Sequence, residues 1–509
     1  MGRNPHIKLA SMAQTYGPVM SFRLGTGLVV VGSSPKAAME ILKTQDRFLC
    51  ARRLSYTHPA SSPKVNKFSV GFANECNDQW KYLRSICRAE LFSNRALQSQ
   101  MKIREKNVMK MVRYLHEKEG QVLNISELIF NTLLNTMCNI LFSMDVFGPE
   151  GGGKGVEVKK LVGKFVKIVA TPNLADLFPI LHGWDIQGMQ KKVRKINEKI
   201  FTIWKDIIKE RREKRRRNIL TQEDFLDALL GNGFSNDHIN HMLLELLMAA
   251  TETSTTATIW AVADLIKNQE SRHKLSDELN KNIGNHMIKE PEIMDFPYLQ
   301  ACLKESMRLH PPVPFLLPRR ATETCKVMNF TIPKGSQVLV NTWAMGRDPT
   351  VWVDSSSFKP ERFLDSGLDF KGNDFEFIPF GSGRRMCPGL PIVTRQVPYV
   401  VATLMHKITW SLPGYNDPTE LNMDEVYHLE LLKKEPLQLI PKIKREVQAI
   451  KVDRGLIALQ AAKSKLPHLD YTEKKARQRE SVFAGITEVT ELQGAEYKSY
   501  CPTASLGSA

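Results

Sequence analysis

Two short runs rich in β-branched and apolar residues open the chain, Val19-Met20-Ser21-Phe22-Arg23-Leu24 and Leu28-Val29-Val30-Val31, on either side of Gly25-Thr26-Gly27. This pattern predicts a β-hairpin. From Pro35 onward the apolar positions recur with helical spacing for roughly three hundred residues. Loop-like stretches interrupt it at Ser55 to Val65, Gly148 to Gly155 and Ala170 to Gly183. The longest periodic segment runs from about Asn236 to Asn268, with Ser235, Asn236 and Asp237 suited to cap its start. Its first half, through Met242-Leu243-Leu244-Glu245-Leu246-Leu247-Met248, is apolar on nearly every side, as expected of a helix buried in a large core. A second helix is predicted through Cys302 to Leu309 and stopped by His310-Pro311-Pro312, and the alternation from Cys325 to Val340 around Pro333-Lys334-Gly335 predicts a hairpin or small sheet. The fold class is therefore mainly α with small β-sheets (α+β).

The middle of the long helix breaks its own pattern. Ala249-Ala250-Thr251-Glu252-Thr253-Ser254-Thr255-Thr256 places hydroxyls and one carboxylate where a core would be expected. Threonine hydroxyls can bond back to the carbonyl four residues earlier and merely bend the helix. The same residues can equally line a groove that carries protons. The pattern alone leaves both readings open.

Composition narrows the partners. The chain has 509 residues and a formal charge of +17. No nucleic-acid motif and no basic–aromatic repeat accompanies that charge, so an anionic lipid surface or an acidic protein is the better expectation. The densest basic run, Arg211 to Arg217, reads as a solvated helix end. Eight cysteines show no CxxC spacing and no signal peptide precedes them, which favours free thiols in a reducing compartment. No run of about 20 apolar residues suggests a bilayer span.

The chemistry concentrates in Phe380-Gly381-Ser382-Gly383-Arg384-Arg385-Met386-Cys387-Pro388-Gly389. A helix-like run resumes at Leu390, so Cys387 is expected at a helix N-terminus, where the dipole and free N–H groups favour a thiolate. Such a sulfur is either a metal ligand or a nucleophile. No His–Asn or His–Asp pattern stands out to activate a nucleophile. Glu305 and Arg308 lie three residues apart on one helical face, and Pro360-Glu361-Arg362-Phe363 follows in a turn-rich region.

These motifs, in this order, resemble the cytochrome P-450 superfamily of haem-thiolate monooxygenases over residues 5 to 444. Phe380, Gly383, Arg385, Cys387 and Gly389 fill the positions of its cysteine-ligand loop, and Glu305 with Arg308 its E-x-x-R helix. Arg362 falls in its P-E-R-F element, and Trp80 with Arg84 in its W-x-x-x-R helix. The resemblance implies haem b between the long helix and the cysteine loop, with Cys387 as the iron ligand. Trp80, Arg84, Arg385 and Arg319 are implied at the propionates, with Gly383 and Gly389 making room for the macrocycle. Glu305, Arg308 and Arg362 are implied as a buried ion network. Glu252 and Thr253 are implied to relay protons on the oxygen side. Ala250 departs from the family's usual glycine there.

Within the superfamily, Leu316 to Ala321, Val327 to Lys334 and Phe370 to Phe380 resemble plant enzymes of benzylisoquinoline alkaloid metabolism. That branch implies aromatic hydroxylation or oxidative phenol coupling of a small molecule. Electrons would come from an NADPH-dependent reductase, docked at basic residues such as Arg88 and Arg395. A haem-binding but inactive protein is the alternative. The implied location is the cytosolic face of the endoplasmic reticulum membrane. The family's apolar anchor helix and proline-rich hinge are expected upstream of residue 1, and the polar segment 445–509 is expected to be a disordered tail beyond the haem domain of residues 1–444.

Overall fold

The computed structural model describes residues 4–146, 154–219, 224–284, 286–415 and 417–444. The expected tail, 445–509, and most of the expected loop at 148–155 lie outside the described residues. The rest is mainly helical with small sheets. The long helix spans Asn236–Lys267, and the Ser235 hydroxyl accepts the His238 N–H at its start. It packs most extensively against the helix Ile125–Phe142, and then against Pro297–Leu309 and Leu390–Lys407. Together they enclose the largest apolar cluster, in which Leu243, Leu247, Leu299 and Val400 are fully covered. Ile125–Phe142 is long and apolar enough to cross a membrane, yet 72% of that stretch is buried within the protein.

The N-terminal hairpin forms as expected, with Val19–Leu24 antiparallel to Gly27–Gly32. Gly27–Gly32 runs parallel to Gln337–Val340, and Arg319–Arg320 and then Ala51–Arg52 complete a five-stranded sheet. Position 25 requires glycine, because its backbone is left-handed and a Cβ there would lie 2.1 Å from the Leu177 carbonyl oxygen. The alternating segment forms the hairpin Cys325–Val327 with Phe330–Ile332. Two further sheets were not foreseen. Gln438–Ile443 pairs with both Leu123–Asn124 and Ile408–Ser411, and Glu425–Tyr427 pairs with Leu431–Lys433.

The basic run at the end of the helix Met189–Arg216 is more than a solvated tip. Arg211 pairs with Asp224 at 2.8 Å and with Asp227, while Arg212 donates to the Phe234 carbonyl. Burial of the two aspartates explains the difference, since buried carboxylates need cationic partners.

Candidate active site

The cysteine loop is held from several sides. The Cys387 N–H donates to the Phe380 carbonyl at 3.0 Å, and Gly383–Arg385 forms a single tight turn. Phe380 meets Phe370 edge-to-face, with ring centroids 5.6 Å apart. Asp46, nearly buried, accepts the Arg384 N–H at 3.1 Å and the Arg319 guanidinium at 2.9 Å. Gly383 is required by that contact: a Cβ would sit 2.1 Å from the Leu42 carbonyl oxygen. Its crowding therefore comes from protein backbone. At Gly389 a Cβ would approach the Cys387 sulfur at 3.8 Å, an ordinary contact.

Gly389 and Leu390 direct backbone N–H groups at the Cys387 sulfur, and Arg84 lies close enough to favour its anion. Burial outweighs all three and pushes the thiol up. The N-terminal helix position alone thus does not yield a thiolate; a coordinated metal would.

Basic side chains converge beside this loop. Arg385 donates to the Cys50 carbonyl at 2.9 Å and the Ala73 carbonyl at 2.6 Å, while its Nη1 is buried with no hydrogen-bond partner. Arg52, buried, donates to the Gly71 and Leu317 carbonyls, and burial, Arg385 and Arg319 hold its pKa well below the usual range. Arg385 and Arg84 both lie over the Trp80 ring, at 4.8 and 5.3 Å from its centroid. Arg84 donates to the Met386 carbonyl at 2.5 Å, and Arg319 is spent on Asp46 and backbone carbonyls. The Trp80 indole N–H, expected at a propionate, donates instead to the Val70 carbonyl at 2.7 Å.

Three buried guanidiniums, Arg52, Arg319 and Arg385, thus lie near one another, and only Arg319 is paired with a carboxylate, Asp46. That surplus, the partnerless Arg385 Nη1 and a sulfur with two N–H groups aimed at it suit a planar dianion whose metal takes one protein ligand. The residues present fit haem. Arg52 and Asp46 escaped the sequence reading because neither stands in a recognisable motif.

Glu245 was also missed. On the long helix it accepts the Ser69 hydroxyl and the Val70 and Gly71 N–H groups, at 2.5, 3.0 and 2.5 Å. The loop it grips supplies the carbonyls that hold Trp80 and Arg52. Farther away, Glu305 accepts two N–H groups from Arg308, at 2.7 and 2.8 Å, and one from Arg362 at 3.0 Å. All three side chains are buried or nearly so.

On the long helix, Thr253 donates to the Ala249 carbonyl at 2.7 Å and Thr258 to that of Ser254, the helix-bonding role. Thr251 and Thr255 differ: both hydroxyls are buried without a partner. Burial and the nearby Glu430 carboxylate raise Glu252 to about 7, with Lys159 opposing.

The sequence matches the Cytochrome P450 family over residues 1–440. It is 45% identical over 445 residues to a probable (S)-N-methylcoclaurine 3'-hydroxylase isozyme 2 from Coptis japonica, covering 87% of this chain and 90% of that one. It is also 45% identical over 439 residues to a corytuberine synthase from Coptis japonica, covering 86% and 89%. Among solved structures, a zebra fish cytochrome P450 with progesterone superposes with a TM-score of 0.71 at 24% identity, covering 86% of this chain and 99% of that one.

Proposed function

The chain belongs to the cytochrome P450 family of haem monooxygenases, and we propose that it oxidises a benzylisoquinoline-type alkaloid, by aromatic hydroxylation or by phenol coupling. The observation that carries this reading is equal identity, 45% over most of the chain, to one relative named for a 3'-hydroxylation and another named as a synthase. Haem b supplies the oxidising chemistry on dioxygen when bound.

The chain's own residues have distinct tasks in this reading. Cys387 would hold the haem iron through its sulfur, towards which the Gly389 and Leu390 N–H groups are directed. Arg385, through its unused Nη1, and Arg84 would hold the propionates, with the Trp80 ring beneath both guanidiniums. Arg319 and Arg52 add positive potential; Arg319 also orients the loop through Asp46. Phe380 and Gly389 shape the loop around the sulfur. Glu305, Arg308 and Arg362 lock the core below the site.

Glu252, held near 7, carries a proton at neutral pH often enough to deliver it inward. Thr253, whose hydrogen points to Ala249, presents oxygen lone pairs as the receiving end.

Electrons come from an NADPH-dependent reductase meeting Arg88 and Arg395. An endoplasmic reticulum surface is the proposed location, and exposed Phe178, Ile180, Trp184 and Ile186 give the protein an apolar face to lay against it. The haem domain is proposed to end near Lys444.

The test is to incubate haem-loaded protein with reductase, NADPH and a panel of benzylisoquinolines, and to weigh the products. Gain of one oxygen atom identifies hydroxylation, and loss of two hydrogen atoms identifies coupling. No conversion of any panel member would overturn the substrate class.

A further inference from the structure

Cys50 and Cys76 have no task in the site described above, yet the fold sets them side by side under Arg385. Cys50 immediately precedes the strand Ala51–Arg52, and Cys76 lies in the loop 71–77. The Arg52 N–H donates to the Asn74 carbonyl at 3.2 Å. Two residues back from Arg52 and two residues on from Asn74 stand the two cysteines. Arg385 spans the same junction, with Nε on the Cys50 carbonyl at 2.9 Å and Nη2 on the Ala73 carbonyl at 2.6 Å. The loop is braced from its other side by Asn66, which accepts the Asn74 N–H at 2.9 Å and donates to the Phe72 carbonyl at 3.1 Å. The side chains complete the contact. The Cys76 thiol hydrogen-bonds the Cys50 sulfur, and the Arg385 guanidinium hydrogen-bonds the Cys76 sulfur.

Both cysteines are free thiols. The hydrogen bond from Cys76 holds Cys50 below the range of an ordinary thiol against burial and Asp46, with Arg385 and Arg319 assisting. Cys76, as the donor, is held above that range. The pair therefore keeps one proton between two sulfurs, a state suited to thiol–disulfide exchange. Cys50 is buried, whereas Cys76 is only half-buried and gives a small reagent its way in. In a reducing compartment a disulfide is transient, and its use is regulatory.

We propose that Cys50 and Cys76 are a redox site, which forms a reversible disulfide by exchange with glutathione disulfide and so clamps the arginine cluster. The Cys76 sulfur passes its proton to Cys50 and attacks one sulfur of the incoming disulfide. A protein–glutathione S–S bond forms, the glutathione S–S bond breaks, and one glutathione thiolate leaves. Cys50 gives the proton to that thiolate and attacks the Cys76 sulfur, which forms the Cys50–Cys76 bond and expels the second thiolate. The two protein sulfurs lose two electrons, and glutathione disulfide gains them. The new bond joins the two segments whose carbonyls hold Arg385, so the oxidised form keeps that guanidinium in place.

The experiment equilibrates the haem-loaded protein in glutathione buffers of rising oxidised fraction, alkylates the remaining thiols, and weighs the peptides after digestion. Wild type is expected to give a joined Cys50–Cys76 peptide that dithiothreitol removes. Two free thiols in the most oxidising buffer, or glutathione left on Cys76, would overturn the redox site. Haem transfer to an acceptor protein is then expected to be several-fold slower from oxidised than from reduced wild type, and unaffected by the buffer in Cys76→Ser. If Cys76→Ser takes up no haem, the two forms of wild type decide. A joined peptide with unchanged transfer overturns the clamp. This second readout rests on Arg385 holding a propionate, which reduced Arg385→Leu tests separately. Faster transfer from that variant lays the failure on the clamp, and an unchanged rate brings down the propionate reading and the clamp with it.

Discussion

Glu305 accepts N–H groups from Arg308, Arg362 and Lys359 at a place shielded from water. Arg308 also serves the carbonyls of Gly346, Ser355 and Ser357, a fan of bonds that only a guanidinium supplies. Arg308→Lys therefore leaves carbonyls unpaired and is expected to cost about 3 kcal/mol or more, seen as a lower denaturation midpoint. An unchanged midpoint would make the network ornamental. Glu430 gives the opposite sign. Its folded pKa, raised from 4.5 to about 7, means that the native state holds its proton more tightly than the unfolded chain. Stability is then lost as pH rises from 4.5 towards 7, by at most about 3 kcal/mol. Glu430→Gln removes that loss, so its thermal midpoint should match wild type near pH 5 and exceed it near pH 8. A pH-independent gap would show that Glu430 is not held protonated. The motif residues among these were legible because each has a fixed spacing. Asp46, Arg52 and Glu245 act through partners distant in sequence, and no local pattern marks them.

Glu245 shows how one element positions another. It binds the long helix to the loop Ser69–Gly71, and that loop presents Val70 to Trp80 and Gly71 to Arg52. Glu245→Ala leaves three donors without their acceptor, at a cost of about 1–3 kcal/mol for each one that stays buried. Haem release should quicken in the variant, measured by transfer to an acceptor protein, because the arginine cluster loses its anchor. Unchanged release would confine Glu245 to fold stability. The helices were readable because apolar spacing over thirty residues admits few alternatives, and the observed Asn236–Lys267 lies within one residue of the expected end. Three of the strands after Lys407 were not. Ile408–Ser411, Glu425–Tyr427 and Leu431–Lys433 are three or four residues long. Runs that short carry no periodicity, and their pairing is decided by what they pack against.

At the scale of the whole molecule, a formal charge of +17 favours encounter with an acidic partner. Arg88→Glu with Arg395→Glu is expected to slow reduction of the haem by the reductase several-fold at low salt, with the difference shrinking as ionic strength rises. Reduction by dithionite should not change. Equal rates from the reductase would move the docking face elsewhere. One sulfur is central to the site, because the loop, the helix after it and the arginine cluster are arranged around Cys387. The direct test is the absorption spectrum of the reduced, carbon monoxide-treated protein, for wild type and for Cys387→His. Wild type should give the strongly red-shifted band of a thiolate-ligated haem, and Cys387→His should replace it with the band of an imidazole-ligated one. A thiolate-type band that survives Cys387→His would contradict the assignment of Cys387 as the ligand.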